Sequence, residues 1–344
     1  MLDILSNGVV RIVLLGTLSL GIVSGVLGVF TLLRKQALIG DALSHATLPG
    51  VVIMFIFTNS KDIGVLIVGA AISAGVAMFL MRLIKQFTIL ENDAILALIL
   101  SSFFGFGRFL ISLISRNPEF SQAKLDDFIF GSAATIIERD VSTLLIVSII
   151  VFILIMLFWR HLKTQTFNPE FYESLGFSNT IIEFMVSFMT ILVIVSGIRS
   201  VGVILMSALL ILPGIATRQW SDRLGINVVL AGIFGGISAF IGTLISVSVK
   251  NGLPTGPVIV IVGTAIAIFS ILFAPKRGLI SKEIQKKHHQ KQIVNYRNLI
   301  NYAHSHDRHL LQNSYYEEQL VDIKTKRITE KGYAMIEGIM KGVS

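Results

Sequence analysis

The sequence predicts an all-α, polytopic membrane protein of about nine transmembrane helices with a small basic tail domain. Three observations carry that prediction. The 344 residues are 53% apolar and only 15% charged, with a mean hydropathy of +0.77. That is too little polar surface to clothe a water-soluble globule of this size. The charge is also segregated: residues 275–344 carry 13 Lys/Arg against 7 Asp/Glu, most of the net +8. Finally, the first 275 residues are divided by ionisable residues into apolar runs near the 17–25 residues that cross a hydrocarbon core,.

Taken in order, the runs are Ile12–Leu33, between Arg11 and Arg34, then Ala37–Phe57, Ile63–Met81, Ala94–Ile114 and Val141–Trp159. Ile181–Ile198 and the short Ser200–Leu212 are separated only by Arg199, and Gly225–Val249 and Pro257–Ala274 complete the nine. Met1–Val10 has no basic residue to form a signal-peptide n-region, so the first run is expected to stay in the mature chain as a span,. If the spans alternate, Arg34/Lys35, Arg82/Lys85, Arg160/Lys163, Arg218/Arg223 and Lys276/Arg277 share one side. The positive-inside rule makes that side cytoplasmic, giving an N-terminus outside and a C-terminus inside. The boundary near Pro275 divides a transmembrane domain, 1–275, from a basic cytoplasmic tail, 276–344, whose charge favours anionic membrane lipid over nucleic acid,.

Absent cysteine excludes disulfides, thiolate metal sites and thiol catalysis, so any metal ligand must be His, Asp, Glu or another oxygen donor,. Asp41 and His45 are the ionisable pair inside the second run. Such residues are costly at membrane depth and by default mark function. Spaced i, i+4, they share a helix face. Counting from Lys35 places Asp41 about 9 Å and His45 about 15 Å into a core of about 30 Å. Carboxylate and neutral imidazole suit manganese, ferrous iron or zinc better than copper(I). The alternative from the residues alone is that the two satisfy one another, or cap a broken helix, with no ion. Pro49 removes the partner of the residue-45 carbonyl and kinks the helix, which suits a pathway-facing position or a packing kink. Arg108 and Arg199 are read as snorkelling cations and Asp126/Asp127 as a solvated outer loop.

The string Gln36-Ala-Leu-Ile-Gly-Asp-Ala-Leu-Ser-His-Ala-Thr-Leu-Pro-Gly50 resembles the signature of the zinc/manganese/iron ABC permeases, the ABC-3 family. Asn168-Pro-Glu-Phe-Tyr-Glu-Ser-Leu-Gly176 is similar to that family's cytoplasmic loop D-P-E-x-A-x-x-x-G, with Asn168 in place of the acid. Val201–Pro213 resembles the span leading into its coupling segment. The resemblance covers roughly residues 1–275 and implies a type II ABC importer permease-like fold. It implies that Asp41 and His45 are the transported-ion ligands, and that Ser44–Gly50 with Phe130–Thr135 look like the manganese and iron members. Gly214–Gly225 would be a short amphipathic coupling helix, docking Trp220 and Leu224 into an ATPase while Arg218 and Arg223 make polar contacts.

No G-x-x-x-x-G-K-[ST] loop is found, so the chain is expected to be a transport subunit rather than an enzyme, with the ABC ATPase on a separate chain,. The resemblance further implies an extracytoplasmic metal-binding protein, a second permease subunit (homodimer or paralogous heterodimer), a bacterial inner-membrane location, and no resident cofactor beyond the transported Mn2+, Zn2+ or Fe2+. A secondary transporter would carry its own coupling-ion site and commonly inverted repeats, which are not evident. A chelate permease would lack the midplane pair, and an intramembrane metalloenzyme would need a third ligand and base, such as H-E-x-x-H supplies. In the tail, His288, His289, His304, His306 and His309 permit metal binding or simply form a solvated His-rich stretch,. Lys326–Glu337 resembles the wing-to-helix passage of winged-helix regulators, which implies a regulatory or ATPase-contacting module.

Overall fold

The computed structural model describes residues 8–59, 63–114, 138–249, 253–305, 315, 318–322 and 327–341. The first four helices are α1 (Gly8–Leu33), α2 (Ile39–Thr58), α3 (Ile63–Phe87) and α4 (Asn92–Ile114). They are followed by α5 (Glu138–Leu157), α6 (Trp159–Phe167), α7 (Pro169–Ser174), α8 (Asn179–Trp220), α9 (Leu224–Ser248) and α10 (Thr255–Phe273). The tail adds α11 (Leu279–Asn295), α12 (Arg297–Ser305) and α13 (Glu330–Lys341). Eight helices among the described residues are long and apolar enough to span a bilayer.

The ninth pass is hidden inside α8. A straight helix of 42 residues would be about 63 Å long, twice a hydrocarbon core,. It breaks at Gly202, whose φ 81°, ψ 167° lies in a region essentially reserved for glycine,. Beyond the break the chain folds back: a Cβ on Gly197 would lie 2.7 Å from both the Met206 sulfur and Leu20. Further along, Gly28 meets Leu210, and Gly214 meets Gly28 and Leu32. The return leg, 202–220, therefore runs alongside α1 in α1's own direction. The expected short seventh span is this leg, longer than anticipated because its apolar face continues through Pro213.

Backbones approach closely where the sequence supplies glycine. Methyl groups on Gly25 or Gly28 would overlap the carbonyls of Ala231 and Leu210, so α9 and the return leg seat directly on α1,. Across α2 and α3, Gly50 and Gly69 do the same. α2 is the most buried of the spans, packed by α3, α4 and α8.

The chain divides into two compact units, Met1–Ile271 and Leu272–Ser344. The second has its own apolar nucleus of Leu299, Tyr315, Leu320, Val321 and Ile336. An antiparallel bridge, Val321 to Ile328, precedes α13. Thr329 caps that helix by accepting from the Gly332 N–H at 3.1 Å, and a side chain at Gly332 would strike the Leu320 carbonyl,. The Thr-x-x-Gly pattern has a steric reason.

Candidate metal centre

Asp41 and His45 lie on α2 with His45 Nε2 3.5 Å from Asp41 Oδ1. From Ile39 to Val52 every residue is buried except these two. Their side chains are 31% and 18% exposed, so the pair occupies a window in an otherwise enclosed helix. Phe104 of α4 meets the imidazole edge to face, with centroids 4.8 Å apart, and fixes the ring,. Pro49 leaves the His45 carbonyl without its in-helix donor. The next carbonyl, of Ala46, accepts from Ser73 Oγ of α3 at 2.6 Å, which ties the kinked turn to its neighbour.

At bond lengths of about 2.1 Å, two donors 3.5 Å apart subtend about 110° at a shared ion, an ordinary ligand–metal–ligand angle,. Among the described residues no group of three or more His, Asp or Glu side chains converges on a metal-sized space.

The basic ends of several helices gather at one end of the bundle. Arg82 donates to the Thr180 carbonyl at 2.8 Å, Lys85 pairs with Glu183 at 3.8 Å, and Arg34 reaches Thr166 at 3.4 Å through Nε. The other two Arg34 nitrogens are buried without a partner. Burial pulls that guanidinium's pKa down from its ordinary value to about 10, against the opposing attraction of Glu183,. Nothing in the sequence separates Arg34 from any other loop cation.

Beside them, Asn168 caps α7 by accepting from Phe171 N–H at 2.9 Å, Pro169 opens the helix, and Gly176 (φ 84°) takes the left-handed position just after it ends,. Asn and Asp are equivalent caps, so the departure from the family's acid leaves this turn intact. Tyr172 is pinned beneath by a 2.9 Å hydrogen bond to His161 Nδ1 and by stacking on Phe177, and its burial raises the phenol's pKa.

The expected coupling residues are placed differently from expectation. Gly214–Gly225 is not a separate amphipathic helix: Ala216 and Thr217 are buried in the last turns of the return leg, which ends at Trp220. Arg218 lies on that last turn, half-buried, and Arg223 is exposed beyond the break, just before α9. Leu224 opens α9 and is 3% exposed, so it shares no face with Trp220 and belongs to the chain's own core. Trp220 packs its ring on Phe234 at 6.4 Å. Asp126, Asp127, Phe130–Thr135, His306 and His309 lie outside the described residues, as does the side chain of Arg199. Of the other tail histidines, His288 and His304 are exposed and His289 is half-buried.

The sequence is 42% identical over 280 residues to the zinc transport system membrane protein TroC of Treponema pallidum, covering 81% of this chain and 94% of that protein. It is 40% identical over 273 residues to the manganese transport system membrane protein MntC of Bacillus subtilis, covering 79% of this chain but 62% of that longer relative. Among solved structures, PsaBC from Streptococcus pneumoniae in complex with Fab superposes with a TM-score of 0.70 at 27% identity, covering 80% of this chain and 96% of that one. The model of the ABC 3 transport family matches residues 6–274, and with these relatives it makes the chain a member of that family: a multi-pass membrane protein built as an ABC transporter permease.

Proposed function

We propose that this chain is the permease subunit of an ATP-driven importer of a divalent transition metal, manganese foremost, with zinc and iron as ions the same donors accept. The observation that carries the reading is the window at Asp41 and His45, two hard-to-borderline donors 3.5 Å apart in an otherwise buried helix,. Relatives named for zinc and for manganese lie at 42% and 40% identity, which supports this class of cargo. Two donors bind weakly, as a site that must release its ion requires.

A second permease copy or a paralogue facing the window would complete an Asp2His2 set. A separate ABC ATPase would supply the energy, contacting the end of the bundle where Arg218, Trp220 and Arg223 lie; Leu224, being buried, would support that surface from behind. An extracytoplasmic binding protein would deliver the ion on the opposite side. The gathered basic ends favour the cytoplasm for the ATPase side, with the N-terminus outside and the C-terminus inside a bacterial inner membrane. The tail is read as a module that regulates transport or contacts the ATPase.

The test is radiolabelled manganese and zinc uptake in a deletion strain expressing wild type, Asp41→Ala or His45→Ala at matched membrane levels. Uptake should fall by more than tenfold in each, since losing even an outer-shell partner of a metal ligand costs about 10–100-fold. Wild-type accumulation in both variants would overturn the site.

A further inference from the structure

We infer that α11 is a membrane-surface helix whose exposed stripe binds anionic phospholipid headgroups. Stepping 100° per residue, Ile280, Ile284, Lys287, Lys291 and Val294 fall within an arc of about 80° on one face. All five are exposed, Ile284 at 62% and Val294 at 71%. The opposite side faces the tail's own structure: Ser281 Oγ donates to the Pro275 carbonyl at 2.6 Å, and His289 and Ile293 are half-buried. The free face is thus neither purely polar nor purely apolar, because two lysines sit between branched aliphatic side chains along one stripe. Glu283, the helix's one acid against its four lysines, borders the stripe, and Lys282 and Lys286 lie on the other side of the helix,.

Water, a protein groove and a nucleic acid each fit this stripe poorly. In water, three large aliphatic side chains stay exposed for nothing. An apolar protein groove would bury lysines on the same stripe as the isoleucines, stripping their hydration. A polyphosphate backbone would meet aliphatic carbons between its lysine contacts. The headgroup layer accepts both: aliphatic ends enter the acyl boundary, while lysine stems lie along it and their ammonium groups reach lipid phosphates.

The helix is also covalently close to such a layer. Five residues separate the end of α10 at Phe273 from Leu279, a reach of at most about 20 Å,. Basic clusters immediately following a span are attracted to anionic lipid. The proposal is independent of the metal site.

Because the chain has no cysteine, single labels report cleanly. The full-length protein carrying a nitroxide at Ile284→Cys or at Gln285→Cys, which points to the opposite side, is placed in nanodiscs of phosphatidylcholine alone or of phosphatidylcholine with phosphatidylglycerol. Power saturation then compares access by oxygen, which partitions into lipid, and by a water-soluble nickel chelate. Position 284 should favour oxygen several-fold over position 285 in the anionic bilayer and lose most of that preference in the neutral one. Changing Lys287 and Lys291 together to Gln should erase the difference between the two lipids. Equal chelate access at 284 and 285 in the anionic bilayer overturns the proposal. So does shielding of 284 that is the same in both lipids and in detergent, which would mean packing within the chain. Shielding that appears only on adding the ATPase subunit would assign the face to a protein instead.

Discussion

The contact that holds α2 in place beside the candidate metal centre is backbone against backbone, and Gly50→Ala probes it. The added methyl would overlap the Gly69 carbonyl and sit 2.5 Å from Ser73 Cβ. Restoring ordinary contact near 3.4 Å at the carbonyl, the tighter of the two overlaps, requires α2 and α3 to part by about 1.4 Å,. The same movement stretches the 2.6 Å bond from Ser73 Oγ to the Ala46 carbonyl to about 4.0 Å, where it is no longer a hydrogen bond,. Overpacking of this kind costs about 1–3 kcal/mol, and a lost interhelical hydrogen bond about 0.6 kcal/mol more. At about 2–4 °C per kcal/mol, the unfolding midpoint in detergent should drop by about 5 °C. Ser73→Ala, which removes only the bond, should lower it by about 1–2 °C. Adding Ser73→Ala to Gly50→Ala should then cost almost nothing further, because the bond is already gone. Metal uptake per folded molecule should fall more in Gly50→Ala than in Ser73→Ala, since His45 sits one residue from the displaced carbonyl. A Gly50→Ala protein with wild-type midpoint and uptake would refute the reasoning.

Three other perturbations read different parts of the chain. Gly202→Ala forces a Cβ into a glycine-only conformation at the turn between the two legs of α8, and should cost about 1–3 kcal/mol; an unchanged midpoint would mean that the legs are not held by that break,. Asn168→Asp should leave stability as it is and Asn168→Ala should lose about 1 kcal/mol, read by thermal unfolding, with equal loss in both removing the capping role,. Arg34→Met exchanges a guanidinium with two unpartnered buried nitrogens for an apolar side chain and should be neutral or stabilising by about 1–4 kcal/mol,. Since Arg34 stays charged until pH rises through about 10, that benefit should be flat across the neutral range and shrink only above it; a loss of about 3–5 kcal/mol would instead reveal a paired charge,.

What could be read from the sequence followed from one-dimensional signals. Span positions are set by runs of apolar residues, which any crossing of a bilayer demands, and the i, i+4 pair of Asp41 and His45 needs no tertiary information to share a face. Charge misled at the seventh span: Arg199 and the polar Gly214–Gly225 composition suggested a short span and a separate helix. The true punctuation is Gly202 at one end and Ser221–Arg223 at the other. Nothing in the sequence marks Gly202, among 29 glycines, as the one at which α8 breaks. The same limit hid Phe104 and Ser73, which reach the site across helices, and Arg34, whose isolation depends on Thr166 and Glu183 far along the chain. Leu224 illustrates the reverse case, an i, i+4 spacing that looks like a docking face until the helix is seen to end between the two positions.

The height of His45 in the bundle is set by two offsets, its distance along α2 and the recess of α2 itself. Counting from Lys35 puts His45 about 15 Å into the membrane, as though the helix began there. It begins at Ile39, and along α2 alone His45 is only about 9 Å from the start,. Yet α2 starts recessed: Ile39 lines a cleft with Met81 of α3 and Ile95 of α4, about 9 Å and about 5 Å inside those helices' ends,. The two offsets together return His45 to mid-height, level with Phe104 and Ser73 near the centres of α4 and α3. The recess has a chemical consequence. Asp41 sits in the first turn of a helix whose positive end is held inside the bundle, a place that favours a carboxylate and opposes a cation,. On the proposed function, a cation between Asp41 and His45 would be attracted by the carboxylate and repelled by the peptide dipoles of the helix start, which would keep its binding loose.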